Sequence, residues 1–251
     1  MSAIQLERFD QIALLRIARP PANAIDLELA KEFSIVLEGI DSSNEIKALI
    51  VTGTGGCFCA GLDLKALPNY SRAQQESMIM QLNHLFGALY GLRVPTIAAV
   101  NGHAIAGGVI LTLACDYRIG AHGDYKLGLA EARVGVPFPV SAMSIVQSEL
   151  SPAVARTMVL TARNSTPQEA QSMGVLDELQ PGDLLISRAV KVAEEMAALP
   201  SAVFTCIKHQ LRAAALSRID DALSHRKEPM LDSWLTEETK AASAEALKRR
   251  N

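Results

Sequence analysis

The chain has 251 residues, of which 49% are hydrophobic, so it can bury a large core in one domain or two. Its 24 lysines and arginines stand against 27 acidic residues, a net charge of −3, which excludes a broad basic surface and with it a nucleic-acid partner. Residues 94–115 carry no formal charge, but proline, asparagine, histidine and several glycines interrupt them. We therefore predict buried strand, loop and helix there, and no membrane association.

The four cysteines show no pairing pattern, and no histidine lies at metal-ligand spacing from them. A reduced compartment without a metal site is the simplest expectation. The first ten residues, MSAIQLERFD, contain charges and no apolar core of signal-peptide length. We expect a cytoplasmic protein.

The N-terminal segment predicts an α/β protein. Residues 4–8 and 12–17 form a predicted hairpin that ends at Pro20 and Pro21. Asp26 can cap a following helix whose apolar residues recur three and four apart. Residues 48–52, ALIVT, then predict a buried strand, so the order is strand, strand, helix, strand.

Two similar crossovers follow along the chain. The first has a glycine-rich loop at 53–61 and a helix at 71–90. The second has a strand at 96–100, a helix at 109–114 and a further strand at 116–120. Because each crossover contains a glycine loop, we expect the two loops to meet at one site.

Helical patterns dominate the last third of the chain, over residues 152–160, 167–173, 183–198, 202–215 and 227–248. No low-complexity linker precedes them, so we predict a core over residues 1–190 and a helical region over 191–251 that is not an independent domain. The last segment contains the single tryptophan, Trp234, and is predicted to pack on the body or on a neighbouring subunit.

The adjacent glycines Gly107 and Gly108 allow two interpretations. A helix that begins at Gly107 presents unpaired N–H groups to a negative charge, and a second N–H from Gly61–Leu62 would complete an oxyanion hole. The second interpretation is structural: glycine lets a helix pack closely on a strand, and this explains the pair equally well. Nucleotide-binding loops fit poorly, because the lysine of a P-loop and the third glycine of a dinucleotide fingerprint are both missing.

Four ordered blocks resemble the signature of the crotonase (enoyl-CoA hydratase/isomerase) superfamily. They are FCAGLDLK at 58–65, NGHAIAGG at 101–108, CDYRIG at 115–120 and LGLAEARVGVP at 127–137. The resemblance implies an α/β fold, a crotonase-like spiral of ββα units with a C-terminal helical trimerisation region. It also implies a homotrimer or hexamer.

The resemblance further implies an acyl-CoA thioester substrate, with coenzyme A as part of that substrate and no separate cofactor. The thioester carbonyl would lie between the N–H groups of Leu62 and Gly107. Contacts with CoA would come from Ala22, Ala60, Gly61 and Lys65.

The acid–base residues distinguish reactions within this superfamily. The hydratases of the superfamily that this chain resembles carry two catalytic glutamates. In this chain one of the two positions is Glu131, and the other, three residues after Gly107, is Ile110. Moving a double bond from C3 to C2 needs one base and no water. We therefore expect a Δ3,Δ2-enoyl-CoA isomerase of fatty-acid β-oxidation, with Glu131 as its proton shuttle.

Two alternatives remain open from the sequence: an enoyl-CoA hydratase, and a noncatalytic acyl-CoA-binding protein of this fold. Without the resemblance, Glu131 would be interpreted as a solvated charge paired with Arg133. Asp63 and Asp116 also lie in the signature blocks, and we expect them to fix loop geometry through hydrogen bonds to N–H groups.

Overall fold

A computed structural model describes residues 2–225, 228–229, 231–234 and 236–248. Nine strands within these residues form two sheets. The larger sheet has the order β1-β2-β3-β5-β7-β9, with β1 and β2 antiparallel and every other pair parallel. Its strands are β1 (Ile4–Phe9), β2 (Ile12–Ile17), β3 (Ala48–Gly53), β5 (Thr96–Val100), β7 (Tyr117–Ala121) and β9 (Glu178–Gln180).

The smaller sheet is parallel and has the order β4-β6-β8, formed by β4 (Cys57–Cys59), β6 (His103–Ile105) and β8 (Leu127–Gly128). The sequence predicted loop at the first two of these strands. Strands of two or three residues are too short to show an alternating pattern, so only their pairing partners define them.

Ten α-helices complete the described fold: α1 (Leu27–Ser42), α2 (Arg72–Gly91), α3 (Gly107–Ala114), α4 (Glu131–Val134), α5 (Val140–Glu149), α6 (Pro152–Thr161), α7 (Pro167–Ser172), α8 (Leu185–Ala197), α9 (Ser201–Ser224) and α10 (Glu237–Lys248). Asp26 caps α1 as predicted, since its carboxylate accepts the N–H of Leu29 at 2.8 Å. The last helix was predicted over 227–248; residue 227 lies outside the described residues, and among the described ones the α-helix begins only at Glu237, after a 3₁₀ turn at Leu231–Ser233.

Three further helices differ from the prediction, since α4 and α5 were not expected and α9 is longer. The helix α5 was not expected, because its polar and apolar residues show little amphipathic pattern. The helix α9 continues nine residues beyond the predicted end at 215, through a polar stretch in which Ile219 and Ala222 are buried. Tertiary contacts of these two side chains stabilise helix that the local pattern does not indicate.

The two sheets and their helices alternate regularly along the chain. A strand of the large sheet leads to a strand of the small sheet and then to a helix in three consecutive turns: β3-β4-α2, β5-β6-α3 and β7-β8-α4. This confirms the predicted spiral of ββα units, with helices in the C-terminal region. Among the described residues, no helix is long and apolar enough to cross a bilayer.

The small sheet packs very closely on α3. A Cβ atom at Gly108 would lie 2.0 Å from the backbone oxygen of Cys59, far inside contact distance. A Cβ at Gly107 would make only ordinary contacts, with its nearest neighbours at 3.4 Å. Close packing therefore explains Gly108 but leaves Gly107 to be explained by the cavity it faces.

We predict that Gly108→Ala lowers the free energy of unfolding by at least about 2 kcal/mol, because the new methyl group meets rigid backbone. The matched control is Gly39→Ala in α1, where a Cβ meets no atom within 4 Å. This control should raise stability by about 0.5–1 kcal/mol. Chemical denaturation of both variants measures the effects, and equal stabilities would contradict the packing argument.

A buried charge cluster joins α9 to the end of α3. The carboxylate of Asp116 accepts the N–H of Thr96 at 2.8 Å and forms ion pairs with Lys208 at 2.8 Å and Arg212 at 2.9 Å. The Arg212 guanidinium also stacks 4.0 Å from the ring centroid of Tyr90. Asp116 thus fixes backbone geometry, as expected, and additionally neutralises two cations of α9.

Asp116→Asn should destabilise the fold by about 3–5 kcal/mol, since two buried cations lose their principal partner. Glu45→Gln removes an ion pair with Arg8 in which the side chains are 75% and 48% exposed. That control should change stability by less than about 1 kcal/mol. Similar losses in the two variants would show that burial of the Asp116 cluster is energetically unimportant.

Candidate active site

The carboxyl edge of the small parallel sheet gathers the predicted functional residues. Leu62 follows the end of β4, Gly107 follows β6, and Glu131 follows β8. Because the three strands are parallel and adjacent, their carboxyl ends lie side by side. The short strands that sequence patterns missed therefore bring these three residues to one place.

The segment before α1 is tied to the turn after β4. The N–H of Ala60 donates to the carbonyl of Ala22 at 3.0 Å, and the N–H of Ile25 donates to the carbonyl of Gly61 at 2.7 Å. The carbonyl of Ile25 in turn accepts the N–H of Asp63 at 2.9 Å. The two hydrogen bonds of Ile25 form a parallel β-bridge that uses the carbonyl of Gly61 and the N–H of Asp63. The N–H of Leu62, between them, has no acceptor among the described residues.

Side chains reinforce the same junction. The buried amide of Asn23 donates to the carbonyl of Cys57 at 2.7 Å, and Arg19 forms an ion pair with Asp63 at 2.8 Å. Asp63 also accepts the N–H of Lys65 at 3.0 Å. Its pKa is lowered, because these hydrogen bonds and Arg19 outweigh the opposing effect of partial burial. Asp63 therefore holds the turn, as predicted.

The turns after β4 and β6 touch each other. Gly61 has φ +77°, and a Cβ there would lie 2.8 Å from the Cβ of Ala106 and 3.1 Å from the nitrogen of Gly107. Ala106 has φ 53°, an unusual value for a residue with a side chain. Within the described residues the N–H of Gly107, at the start of α3, also has no acceptor.

A cavity of about 420 Å³ opens at this edge. Its wall is mostly apolar, and the polar side chains among its described lining residues are Glu131, Arg133 and Asn164. The remainder of the wall comes from Ala60, Leu62, Leu64, Leu82, Phe86, Ile105, Ala106, Gly107, Ile110, Ala130, Val134, Val136, Pro137, Pro139 and Ala142.

Glu131 is a buried carboxyl group in this apolar wall. The residue is 8% exposed, and its Oε2 accepts no hydrogen bond from the described residues. Desolvation by burial raises the pKa of Glu131 to about 8. The group can therefore both take and release a proton near neutral pH.

The alternative in which Glu131 is a solvated charge paired with Arg133 is wrong. The guanidinium of Arg133 donates to the carbonyl of Ala162, and Oε2 of Glu131 has no hydrogen-bond partner among the described residues. Since α4 begins at Glu131, the two side chains are separated by about 200° around the helix axis. Both residues contribute to the cavity lining, but Glu131 is buried whereas Arg133 is exposed.

The C-terminal segment supports the helix that begins at Glu131. Trp234, 1% exposed, donates its indole N–H to the carbonyl of Pro137 at 3.1 Å. Thr239, at the start of α10, donates to the carbonyl of Gly135 at 2.7 Å. Of the two placements that the sequence left open, Trp234 takes the first and packs on the body of its own chain.

Some of the predicted site residues line the cavity and others do not. Ala60, Leu62, Gly107, Ile110 and Glu131 line it. The other expected CoA contacts, Ala22, Gly61 and Lys65, do not line the cavity. Gly61 lies in the turn after β4, between two residues that do line it, and the carbonyl of Ala22 accepts a hydrogen bond from that turn. Lys65 is exposed beside that turn.

Sequence reasoning missed Asn164 entirely. It lies between α6 and α7, far along the chain from the signature blocks, and no local pattern distinguishes it from an ordinary loop asparagine. His103, in the signature block that ends at Gly108, has a structural role, since its Nδ1 accepts the N–H of Lys126 at 3.1 Å. Among the described residues, no group of histidine, cysteine and acidic side chains could hold a metal ion.

A spiral of ββα units with a buried carboxyl group at the edge of its small sheet is a crotonase-type enzyme architecture. The sequence profile described as enoyl-CoA hydratase/isomerase matches residues 7–250, and the chain belongs to that family. It is an enzyme of the enoyl-CoA isomerase/hydratase class.

Relatives of both activities are similar to the chain. The mouse protein named enoyl-CoA delta isomerase 1, mitochondrial, is 30% identical over 83% of this chain and 73% of its own length. A probable enoyl-CoA hydratase, echA8, of Mycobacterium bovis is 26% identical over 98% of this chain and 95% of its own. The structure of human mitochondrial Δ3,Δ2-enoyl-CoA isomerase superposes with a TM-score of 0.91 at 25% identity, over 99% of this chain and 98% of that one.

We predict that Glu131→Gln stabilises the protein at pH 9. A carboxyl group whose pKa is about 8 when folded and about 4.5 when unfolded contributes stability below pH 4.5 that is lost as the pH rises to 8. The full loss is about 5 kcal/mol, which a neutral amide avoids.

Thermal melts of the two proteins from pH 5 to pH 9 measure this difference. The gap between variant and wild type should widen as the pH rises. Glu194→Gln, at an exposed position of α8, is the control and should show a constant gap. A constant gap for Glu131→Gln as well would show that the carboxyl group ionises normally.

Proposed function

We propose that the protein is a Δ3,Δ2-enoyl-CoA isomerase, which converts a 3-enoyl-CoA into a trans-2-enoyl-CoA in fatty-acid β-oxidation. The observation that carries the proposal is a single buried carboxyl group, Glu131, in a cavity where Ile110 is fully buried and apolar. One acid–base group is enough for a proton shift between two carbons of the same substrate.

The thioester oxygen would lie between the N–H groups of Leu62 and Gly107. Both residues line the cavity, and neither N–H has an acceptor among the described residues. Two such donors stabilise negative charge on the oxygen as it develops, and the dipole of α3 adds to them at its N-terminus. This arrangement would serve as the oxyanion hole.

The reaction then follows from the position of Glu131. Its carboxylate removes a proton from C2, and the electron pair moves into a dienolate held by the two N–H groups. The resulting carboxylic acid returns the proton to C4, which leaves the double bond between C2 and C3. A pKa of about 8 keeps the two forms of Glu131 close in free energy, so neither transfer is strongly uphill.

The rest of the substrate would extend from this centre along the turn after β4. Ala22, Ala60 and Gly61 belong to one hydrogen-bonded junction there, which offers backbone groups to the adenine and pantetheine of CoA. The exposed ammonium of Lys65 is suited to the CoA phosphates. No cofactor beyond the CoA of the substrate enters the proposed mechanism.

Hydration is the main competing reaction, since relatives named hydratase are as close as those named isomerase. The apolar side chain of Ile110 favours isomerisation, because it cannot hold or activate water. A noncatalytic binding protein is less consistent with Glu131, since burying a carboxyl group whose Oε2 has no partner among the described residues costs stability that binding alone does not require.

A homotrimer or hexamer is part of the proposal. Three apolar side chains one turn apart on α9 are largely exposed: Val203 (56%), Ile207 (58%) and Leu211 (81%). A continuous apolar stripe on a helix suits burial against another copy of the chain.

The proposed activity is tested by comparing isomerisation of 3-hexenoyl-CoA with hydration of crotonyl-CoA. We expect isomerisation to be the faster reaction. Glu131→Gln should lower kcat for isomerisation by at least about 1,000-fold, since it removes the proton carrier of the proposed mechanism, while CoA-thioester affinity changes little.

Glu194→Gln again serves as the control and should retain full activity, because this side chain is exposed on α8. Brisk hydration without isomerisation would contradict the proposal. Binding of acyl-CoA with no turnover of any enoyl-CoA would favour the noncatalytic alternative.

A further inference from the structure

The two proposed thioester donors are held in different ways. The N–H of Gly107 belongs to the first residue of α3, so the helix itself fixes its direction. The N–H of Leu62 lies in the loop that follows β4, outside any helix or strand. Its direction must therefore come from contacts with another part of the chain.

Those contacts come from the segment before α1. The N–H of Leu62 and the carbonyl of Gly61 belong to one planar peptide group and point in opposite directions. The carbonyl accepts the N–H of Ile25 at 2.7 Å. This hydrogen bond fixes the direction of the Leu62 N–H, and by polarising the peptide group it makes that N–H a stronger donor.

Arg19 connects the two segments that form this bridge. Its Nη2 forms ion pairs with Asp26 at 2.7 Å and with Asp63 at 2.8 Å. Asp26 follows Ile25 in the chain, and Asp63 follows Leu62. One nitrogen of one guanidinium therefore holds both segments next to the point where they meet.

The Arg19 side chain acts from a fixed position. Its Nη1 donates to the carbonyl of Ala24 at 2.9 Å. The backbone N–H of Arg19 donates to Oδ1 of Asn23 at 3.0 Å, and its carbonyl accepts the N–H of Asn23 at 2.8 Å. Asn23 is fully buried, so the loop that carries the guanidinium is anchored in the core.

The charge of Arg19 is as important as its hydrogen bonds. Because Asp26 and Asp63 contact the same nitrogen, two carboxylates would face each other across the bridge if the guanidinium were removed. These carboxylate side chains are only 20% and 17% exposed, so water and salt screen their repulsion incompletely. Repulsion would separate the two segments and turn the N–H of Leu62.

We propose that Arg19 is a positioning residue, which holds the N–H of Leu62 in the direction of the thioester oxygen. The inference rests on the proposed function, because it concerns one of the two donors of the proposed oxyanion hole. Arg19 does not line the cavity, so it acts through the bridge and not by contact with the reacting atoms. Its effect should appear in kcat more than in KM, since negative charge on the oxygen develops during the reaction.

The infrared carbonyl band of bound hexanoyl-CoA, labelled with carbon-13 at C1, tests this inference without catalysis. This saturated thioester has no double bond to move. In the wild type its band should lie at lower frequency than in free hexanoyl-CoA, because two N–H groups polarise the carbonyl. In Arg19→Met, which keeps an apolar stem and removes the guanidinium, this shift should fall by about half, since one of the two donors is turned away.

Kinetics of 3-hexenoyl-CoA isomerisation provide the second measurement. Arg19→Met should lower kcat by about 10- to 100-fold, the loss typical of a displaced oxyanion donor, and change KM by less than about threefold. Arg19→Lys keeps the positive charge but lacks the fork that reaches Ala24. It should give a carbonyl shift and a kcat between those of the wild type and Arg19→Met.

Arg16→Met is the matched control. Arg16 is 26% exposed, against 32% for Arg19, and forms an ion pair with Glu7 at 2.6 Å away from the site. This variant should leave the carbonyl band and kcat unchanged. If Arg19→Met does not fold, Asp63→Asn removes the charge that faces Arg19 and should also reduce the carbonyl shift.

An unchanged carbonyl band in folded Arg19→Met would overturn the inference, and so would a lower kcat that is not accompanied by a smaller shift. A wild-type band at the frequency of free hexanoyl-CoA would instead contradict the proposed oxyanion hole. A band that depends on Arg19 in a wild-type protein without isomerase activity would support the inference and contradict the proposed isomerase.

Discussion

The close approach of the small sheet to the start of α3 is the constraint on which the site depends. Gly108 lies against the backbone oxygen of Cys59, and Gly61 lies against Ala106 and Gly107. Side chains at these positions would separate the two turns. Because they stay in contact, the N–H groups of Leu62 and Gly107 share one cavity. Backbone groups held this rigidly need no reorganisation when charge develops near them.

The proposed isomerisation needs a carboxyl group where water is scarce, and burying that group lowers the stability of the fold. Burial raises the pKa of Glu131 to about 8, which destabilises its ionised form. The chain compensates around this group: Trp234 and Thr239 bind carbonyls of the segment after α4, and the Asp116 cluster joins α9 to the end of α3. Stability elsewhere supports a site that is locally unfavourable.

Most elements of the large sheet and its long helices could be predicted from the sequence. The continuous apolar run of β3 and the Asp26 cap of α1 are local signals, and both are present in the structure. The strands β4, β6 and β8 could not be predicted, because two or three residues carry no period and become strands only by pairing. The helix α5 was not predicted for a related reason, since its polar and apolar residues do not separate onto opposite faces of a helix.

The sequence by itself determined the family, through ordered blocks, and the residue types available for chemistry, including Ile110 where a second glutamate could stand. It left Glu131 between a surface ion pair and a catalytic group, and it gave no signal at all for Asn164. Only the tertiary structure shows that Glu131 is buried and that Asn164 lines the same cavity. Burial and the absence of a hydrogen-bond partner are properties of a side chain's neighbours, and those neighbours come from strands and helices distant in the chain.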